Sequence, residues 1–176
     1  MLSVGQPSLS LAKLARLQAL PGRPEIMPQS LARVVVHLIF STKNRAPIIP
    51  KQIQPELHAY LGGLLANLGC IVIRVGGVSD HIHALFGLPR TSSLADLVEI
   101  LKRDSSKWVK EKCPASPDFY WQKGYGVFSV SQTHTSKVAT YIANQEAHHQ
   151  TISFQDEYRQ ILRKNDVPFD ERYVWE

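Results

Sequence analysis

CIVIRVGGVSDHIHALF, residues 70–86, decides the fold. Two β-rich apolar runs, Cys70–Val75 and His81–Phe86, flank a short turn that opens at Gly76-Gly77, which is the pattern of a β-hairpin. Upstream, VVVHLIF at Val34–Phe40 is β-branched and apolar throughout, a buried strand by length and composition. A polar loop closed by prolines separates it from Gln54–Leu68, where Leu57, Tyr60, Leu61, Leu64, Leu65 and Leu68 line one face of a helix. Downstream, Ser92 or Ser93 caps a second helix with Leu94, Leu97, Val98, Leu101, Trp108 and Val109 at core positions. Pro114 and Pro117 stop it near Cys113. Phe119–Gln122 and Val127–Val130 read as short extended pieces around Gly124-Tyr125-Gly126. A helix then opens at Thr133 or Thr135 and runs to about His149, and a last one covers Phe154–Arg163. The order β-α-β-β-α-β plus C-terminal helices predicts an α+β fold, an antiparallel sheet with helices packed on it, of ferredoxin-like or RRM-like type.

Composition bounds the rest. A chain of 176 residues with 44% hydrophobic and 20% charged side chains suits one domain with a buried core. No apolar run approaches the roughly 18 residues of a membrane span. Two cysteines, Cys70 and Cys113, exclude a disulfide scaffold and a zinc finger, and point to a reducing compartment. Residues 1–26, rich in proline, are expected to be an extension outside the fold, with the domain over 27–176. Lys13 and Arg16 interrupt the apolar stretch there, a poor match to an export signal, so the expected location is cytoplasmic. The net charge of +5 divides unevenly: residues 27–145 hold 13 basic against 7 acidic side chains, and residues 146–176 hold 4 against 7. A basic body suggests a polyanionic partner, nucleic acid before membrane.

The chemistry-bearing residues fall in two places. His81 and His83 are two apart on a strand, so both side chains leave the same face and can share one metal ion. The same spacing also suits two half-buried histidines bonded to backbone. In KVATYIANQEAHH, Tyr141 lies away from the apolar Val138, Ala139 and Ile142, on the side shared by Lys137, Gln145 and His148. The Gln145 amide oxygen can complete a set of two nitrogens and one oxygen for a hard divalent ion. A phenol beside it is a candidate nucleophile. At pH 7 a free phenol is short of its ionised form by roughly 4 kcal/mol, a deficit that Lys137 and a metal on the substrate phosphate can offset. A tyrosine that merely packs its ring is the other reading.

His81-Ile82-His83 and Tyr141-x-x-x-Gln145 together resemble the single-tyrosine HUH transposases of the IS200-like type, including relatives associated with repeated palindromes. The surrounding text agrees in order and spacing: HLIFSTKNR at His37–Arg45, VGGVSDHIHALF at Val75–Phe86, WQKGYGVFSVS at Trp121–Ser131 and FDERYVWE at Phe169–Glu176. The resemblance implies a transposase that cleaves and rejoins single-stranded DNA through a 5′-phosphotyrosine and recognises hairpins at element ends. It implies Tyr141 as nucleophile, and His81, His83 and Gln145 as ligands of magnesium or manganese. It also implies a homodimer in which the tyrosine helix of one subunit can complete the site of the other.

Candidate DNA contacts are Arg103, Lys107 and Lys110, a basic stripe on the helix after Ser93, with Lys43 and Arg45 after the first strand, Lys123, and Lys137. The helical stripe is interspersed with Asp96, Glu99, Asp104 and Glu111, so a solvated face is equally in view. Two other classes compete with a transposase. A non-catalytic nucleic-acid-binding module of RRM-like fold would carry aromatics on its sheet face, where this sequence puts histidines. A metal-dependent hydrolase would use water and leave Tyr141 idle.

Overall fold

Pairing of β1 (Val34–Ser41) with β3 (His81–Leu88) forms the centre of a four-stranded antiparallel sheet. β4 (Gly126–Ser129) adds to the free side of β1, and β2 (Ile71–Gly77) to the free side of β3, giving the order β2-β3-β1-β4. The computed structural model describes residues 31–114 and 116–175, so the extension expected over 1–26 lies outside the described residues. Three long helices and two shorter ones complete it: α1 (Gln54–Asn67), α2 (Leu94–Lys112), α3 (Thr135–Ala143), α4 (Gln145–His148) and α5 (Phe154–Lys164). The fold is α+β, as the hairpin and its flanking helices predict.

Strand alternation sorts the side chains into two layers. Val36, Leu38, Phe40, Ile82, Ala84 and Phe86 leave one face and meet Leu57, Leu61 and Leu65 of α1 and Leu97, Val98, Leu101 and Val109 of α2. This is the larger core. The opposite face carries Val35, His37, Ile39, His81, His83 and Leu85, covered by α3, α5 and the C-terminal segment. Polar side chains are therefore built into a buried sheet face. Each of the three histidines is under 7% exposed.

Two capping serines set helix starts. Ser93 accepts from the Asp96 amide and Ser153 from the Asp156 amide, each at 3.1 Å, which satisfies one orphan N–H per helix. Two details differ from the sequence reading. The extended piece expected at Phe119–Gln122 shortens to a single bridge, Thr42 to Trp121, flanked by the Lys43 amide donating to the Tyr120 carbonyl and the Gln122 amide to the Ser41 carbonyl. After it the Lys102 ammonium gathers the carbonyls of Gln122, Lys123 and Gly124 in a loop. The helix expected through His149 breaks at Asn144, whose ψ of 18° ends α3 before α4 begins. Among the described residues no helix is long and apolar enough to cross a membrane.

Candidate functional site

β3 delivers His81 and His83 to the same face, and each ring is tied back through Nδ1. His81 Nδ1 lies 2.7 Å from Asp80 Oδ1, and His83 Nδ1 lies 2.9 Å from His37 Nε2. His37 sits on β1 diagonally across from His83, and the two rings stack with centroids 5.1 Å apart. Such outer contacts fix ring orientation and leave both Nε2 atoms aimed into the site. Burial holds the His37 and His83 rings neutral: His37 falls to about 4, and His83 falls well below the usual range, helped by the neighbouring imidazoles.

α3 and α4 bring the second motif to the first. Gln145 Oε1 is 3.0 Å from His81 Nε2, and the Tyr141 ring stands edge-on to His83 with centroids 5.9 Å apart. The approach depends on Gly76 of β2. A Cβ built there would lie 2.7 Å from the Ile142 carbonyl oxygen and 2.8 Å from its Cγ2, so any side chain pushes α3 off the sheet. Gly76→Ala should cost about 1–3 kcal/mol, read as a lower urea midpoint. Gly63→Ala, in open space within α1, should be neutral or gain up to about 1 kcal/mol.

The residue at the centre of the cluster is one the sequence reading did not single out. Glu157, from α5, is 2% exposed. Its Oε1 accepts from the Tyr141 hydroxyl and, at 2.9 Å, from Gln145 Nε2. Its Oε2 has no hydrogen-bond partner and lies 3.7 Å from His81 Nε2, 3.6 Å from His83 Nε2 and 3.3 Å from His149 Nε2. Burial, reinforced by the Asp80 charge, pushes the Glu157 carboxyl up to about 8. His148, which the helix periodicity places on the same side as Tyr141, packs edge-on against the Tyr141 ring. A sequence signal for Glu157 does exist: it occupies the second position of the stripe Phe154, Glu157, Tyr158, Ile161, where an apolar side chain is expected.

The donor set fits a cation. His149 Nδ1 donates to the Ile152 carbonyl and His81 Nδ1 to Asp80, so both Nε2 atoms carry lone pairs when the rings are neutral. Those two nitrogens and Gln145 Oε1 lie 2.9–3.1 Å from one another. Three acceptors at that separation repel unless something positive lies among them. His83 Nε2 and Glu157 Oε2, both buried without partners, face the same point. His81, His83 and Glu157 together offer a metal-ligating triad.

Beside Tyr141 runs a groove of about 620 Å3, lined among others by His134, Lys137, His148, Gln160 and Lys164. Of the expected DNA contacts, Lys137 lines this groove. Lys43 and Lys123 are exposed, and Arg45 stacks on Trp175. Arg103, Lys107 and Lys110 belong to α2, across the sheet from the histidines, where Arg103 pairs with Asp104 and Lys110 covers the Tyr120 ring. The site gathers a phenol, an amide, a carboxylate and several imidazoles within one chain.

Comparison with known proteins bears on this constellation. Residues 30–145 match the family model described as "Transposase IS200 like". The chain is 25% identical over 114 residues to the ISDra2 transposase TnpA of Deinococcus radiodurans, a match covering 62% of this chain and 81% of that relative. A crystal structure of a transposase-class protein from Deinococcus radiodurans R1 shares the fold, with TM-score 0.55 and 23% identity over 72% of this chain and 98% of that one. A REP-associated tyrosine transposase bound to a REP hairpin aligns at TM-score 0.49 and 12% identity, over 74% of this chain and 76% of that one.

Proposed function

The chain belongs to the IS200-like transposase family, and from that premise we propose that it cleaves and rejoins single-stranded DNA with Tyr141 as nucleophile. The observation that carries the reading is the seat of the Tyr141 hydroxyl. It donates to Glu157, whose other oxygen faces His81 and His83, so the phenol and the ligand cluster share one small volume. His81, His83 and Gln145 would hold magnesium or manganese. Bound there, the ion would polarise a scissile phosphate and stabilise the charge that develops on it.

The protein's own part follows from geometry. Tyr141 Oη attacks phosphorus, the bond from phosphorus to the 3′-oxygen breaks, and the products are a 5′-phosphotyrosine and a free 3′-hydroxyl. One phosphodiester replaces another, so the reverse attack by a 3′-hydroxyl reseals the strand without an added energy source. The phenol proton has an acceptor in place at Glu157 Oε1. Lys137 and Lys164, which line the groove beside the tyrosine, suit contacts to flanking phosphates. Recognition of hairpin ends and action as a homodimer rest on the motif resemblance and are part of the same reading.

The test incubates purified protein with Mn2+ and a hairpin-bearing single-stranded oligonucleotide labelled 3′ of the cleavage site. A denaturant-resistant protein–DNA adduct is expected. His81→Ala should lose the adduct while keeping most DNA affinity. Binding without cleavage would turn the reading into a non-catalytic module, and cleavage without adduct would turn it into a hydrolase.

A further inference from the structure

We propose that Glu157 is a metal ligand through Oε2, making the centre a two-histidine, one-carboxylate site with the Gln145 amide beside it. The inference rests on the metal-site reading above and changes its composition. Two neutral imidazoles and an amide offer a hard divalent ion no negative charge. Magnesium and manganese favour carboxylate oxygen, and a site built only of neutral donors would hold them weakly.

The structure supplies that charge in the right place. Glu157 Oε2 is 3.6–3.7 Å from the Nε2 atoms of both strand histidines. Two ligands of one ion with bonds near ~2.1 Å are separated by no more than about 4.2 Å, so these separations fit a shared cation. Oε2 is buried and has no hydrogen-bond partner, an expensive condition for a carboxylate oxygen and one that coordination relieves. Its orientation is enforced from the other side. Oε1 is fixed by the Tyr141 hydroxyl and the Gln145 amide, which leaves Oε2 turned toward the histidines. Gln145 thereby acts at both ends: its Nε2 positions the carboxylate, and its Oε1 remains beside His81. One side chain on α5 links the nucleophile to the ligand set, and α5 lies beyond the segment that matches the family model.

The experiment uses metal alone and needs no DNA. Mn2+ binding to the full chain is measured by electron paramagnetic resonance, and Co2+ binding by its visible d–d bands, for wild type, Glu157→Gln and Glu157→Asp. Glu157→Gln should weaken Mn2+ by more than the roughly 10–100-fold typical of an outer-sphere partner, and should change the position or intensity of the Co2+ bands. Unchanged Mn2+ affinity overturns the proposal. So does a Co2+ spectrum superimposable on wild type, because a carboxylate acting only through space leaves the ligand set intact. Circular dichroism checks the fold of each variant. If Glu157→Gln does not fold, Glu157→Asp decides by the same spectrum, with bands identical to wild type counting against ligation. Wild type that binds neither ion sinks the proposal and the metal site together. Metal binding as expected, with no adduct on DNA, removes the transesterase reading alone.

Discussion

Tyr141→Phe should abolish the covalent protein–DNA adduct completely while Mn2+ affinity stays within about threefold of wild type. The substitution removes one oxygen and keeps the ring. That ring packs edge-on against His83 and His148, with centroids at 5.9 and 5.2 Å, and those contacts survive in phenylalanine. What disappears is the hydroxyl that donates to Glu157 Oε1. Gln145 Nε2 still donates to that oxygen, so the carboxylate keeps a partner and the stability loss should be about 1 kcal/mol. Chemistry has no such substitute. A nucleophile that becomes covalently attached cannot be replaced by a neighbouring group without losing the adduct, and a phenyl ring offers no atom to attack phosphorus. The measurement is a denaturing gel with labelled hairpin oligonucleotide, run beside a metal titration and a DNA-binding isotherm. Adduct formation at wild-type level would remove Tyr141 from the reaction. Strand cleavage that persists without adduct would assign attack to water.

The strands and their faces were legible in the sequence because period-two alternation is local. Val35, His37 and Ile39 had to leave one face of β1 once Val36, Leu38 and Phe40 left the other, and the same parity put His81 and His83 together on β3. Tyr141 and Gln145 were likewise readable as neighbours about one turn apart, although the break at Asn144 was not. That break depends on one residue leaving helical geometry, and nothing in the composition of IANQEA announces it. The carboxylate was hidden for another reason. Glu157 reaches His81 only after α5 folds back over the sheet, and no spacing rule connects a helix near the C-terminus with a strand in the middle of the chain. His37 was passed over because a single histidine in an apolar strand carries no pattern. Its role emerges only from the pairing of β1 with β3, which sets it diagonally beside His83.

The same buried cluster makes folding depend on pH from both sides. Metal-free protein should be most stable near neutral pH, losing at least about 3 kcal/mol toward pH 4 and well under about 2 kcal/mol toward pH 8. The acid limb comes from imidazoles. His37 titrates at about 4 in the folded protein against 6.5 when unfolded, so the unfolded chain takes up the proton first. Its contribution is present above pH 6.5 and lost as pH falls through 4, a difference of about 3 kcal/mol. His83 is depressed as well and adds in the same direction. His58 of α1, lowered to about 4 by burial, also adds from outside the site, so a His58→Gln background isolates the cluster. The alkaline limb has the opposite sign. Glu157 is raised from 4.5 to about 8, so its stabilising contribution is full below pH 4.5 and is lost as pH rises through about 8. Between pH 4.5 and 6.5 the imidazoles outnumber the carboxyl and stability still climbs. Glu157 alone would remove about 2 kcal/mol between pH 6.5 and 8, and the last of the imidazole titration, together with Lys102, which burial lowers to about 8, offsets much of that. Urea unfolding across this range measures both limbs. Mn2+ should flatten the alkaline limb, because a cation among the same atoms stabilises the carboxylate that the metal-free site disfavours. Glu157→Gln should turn it into a rise without metal, because the depressed histidines and Lys102 gain stability over the same window. A Glu157→Gln profile that runs parallel to wild type from pH 6.5 to 8 would mean that Glu157 is already ionised in the metal-free fold, and a wild-type profile that stays level below 6.5 would mean that the histidines are not held neutral.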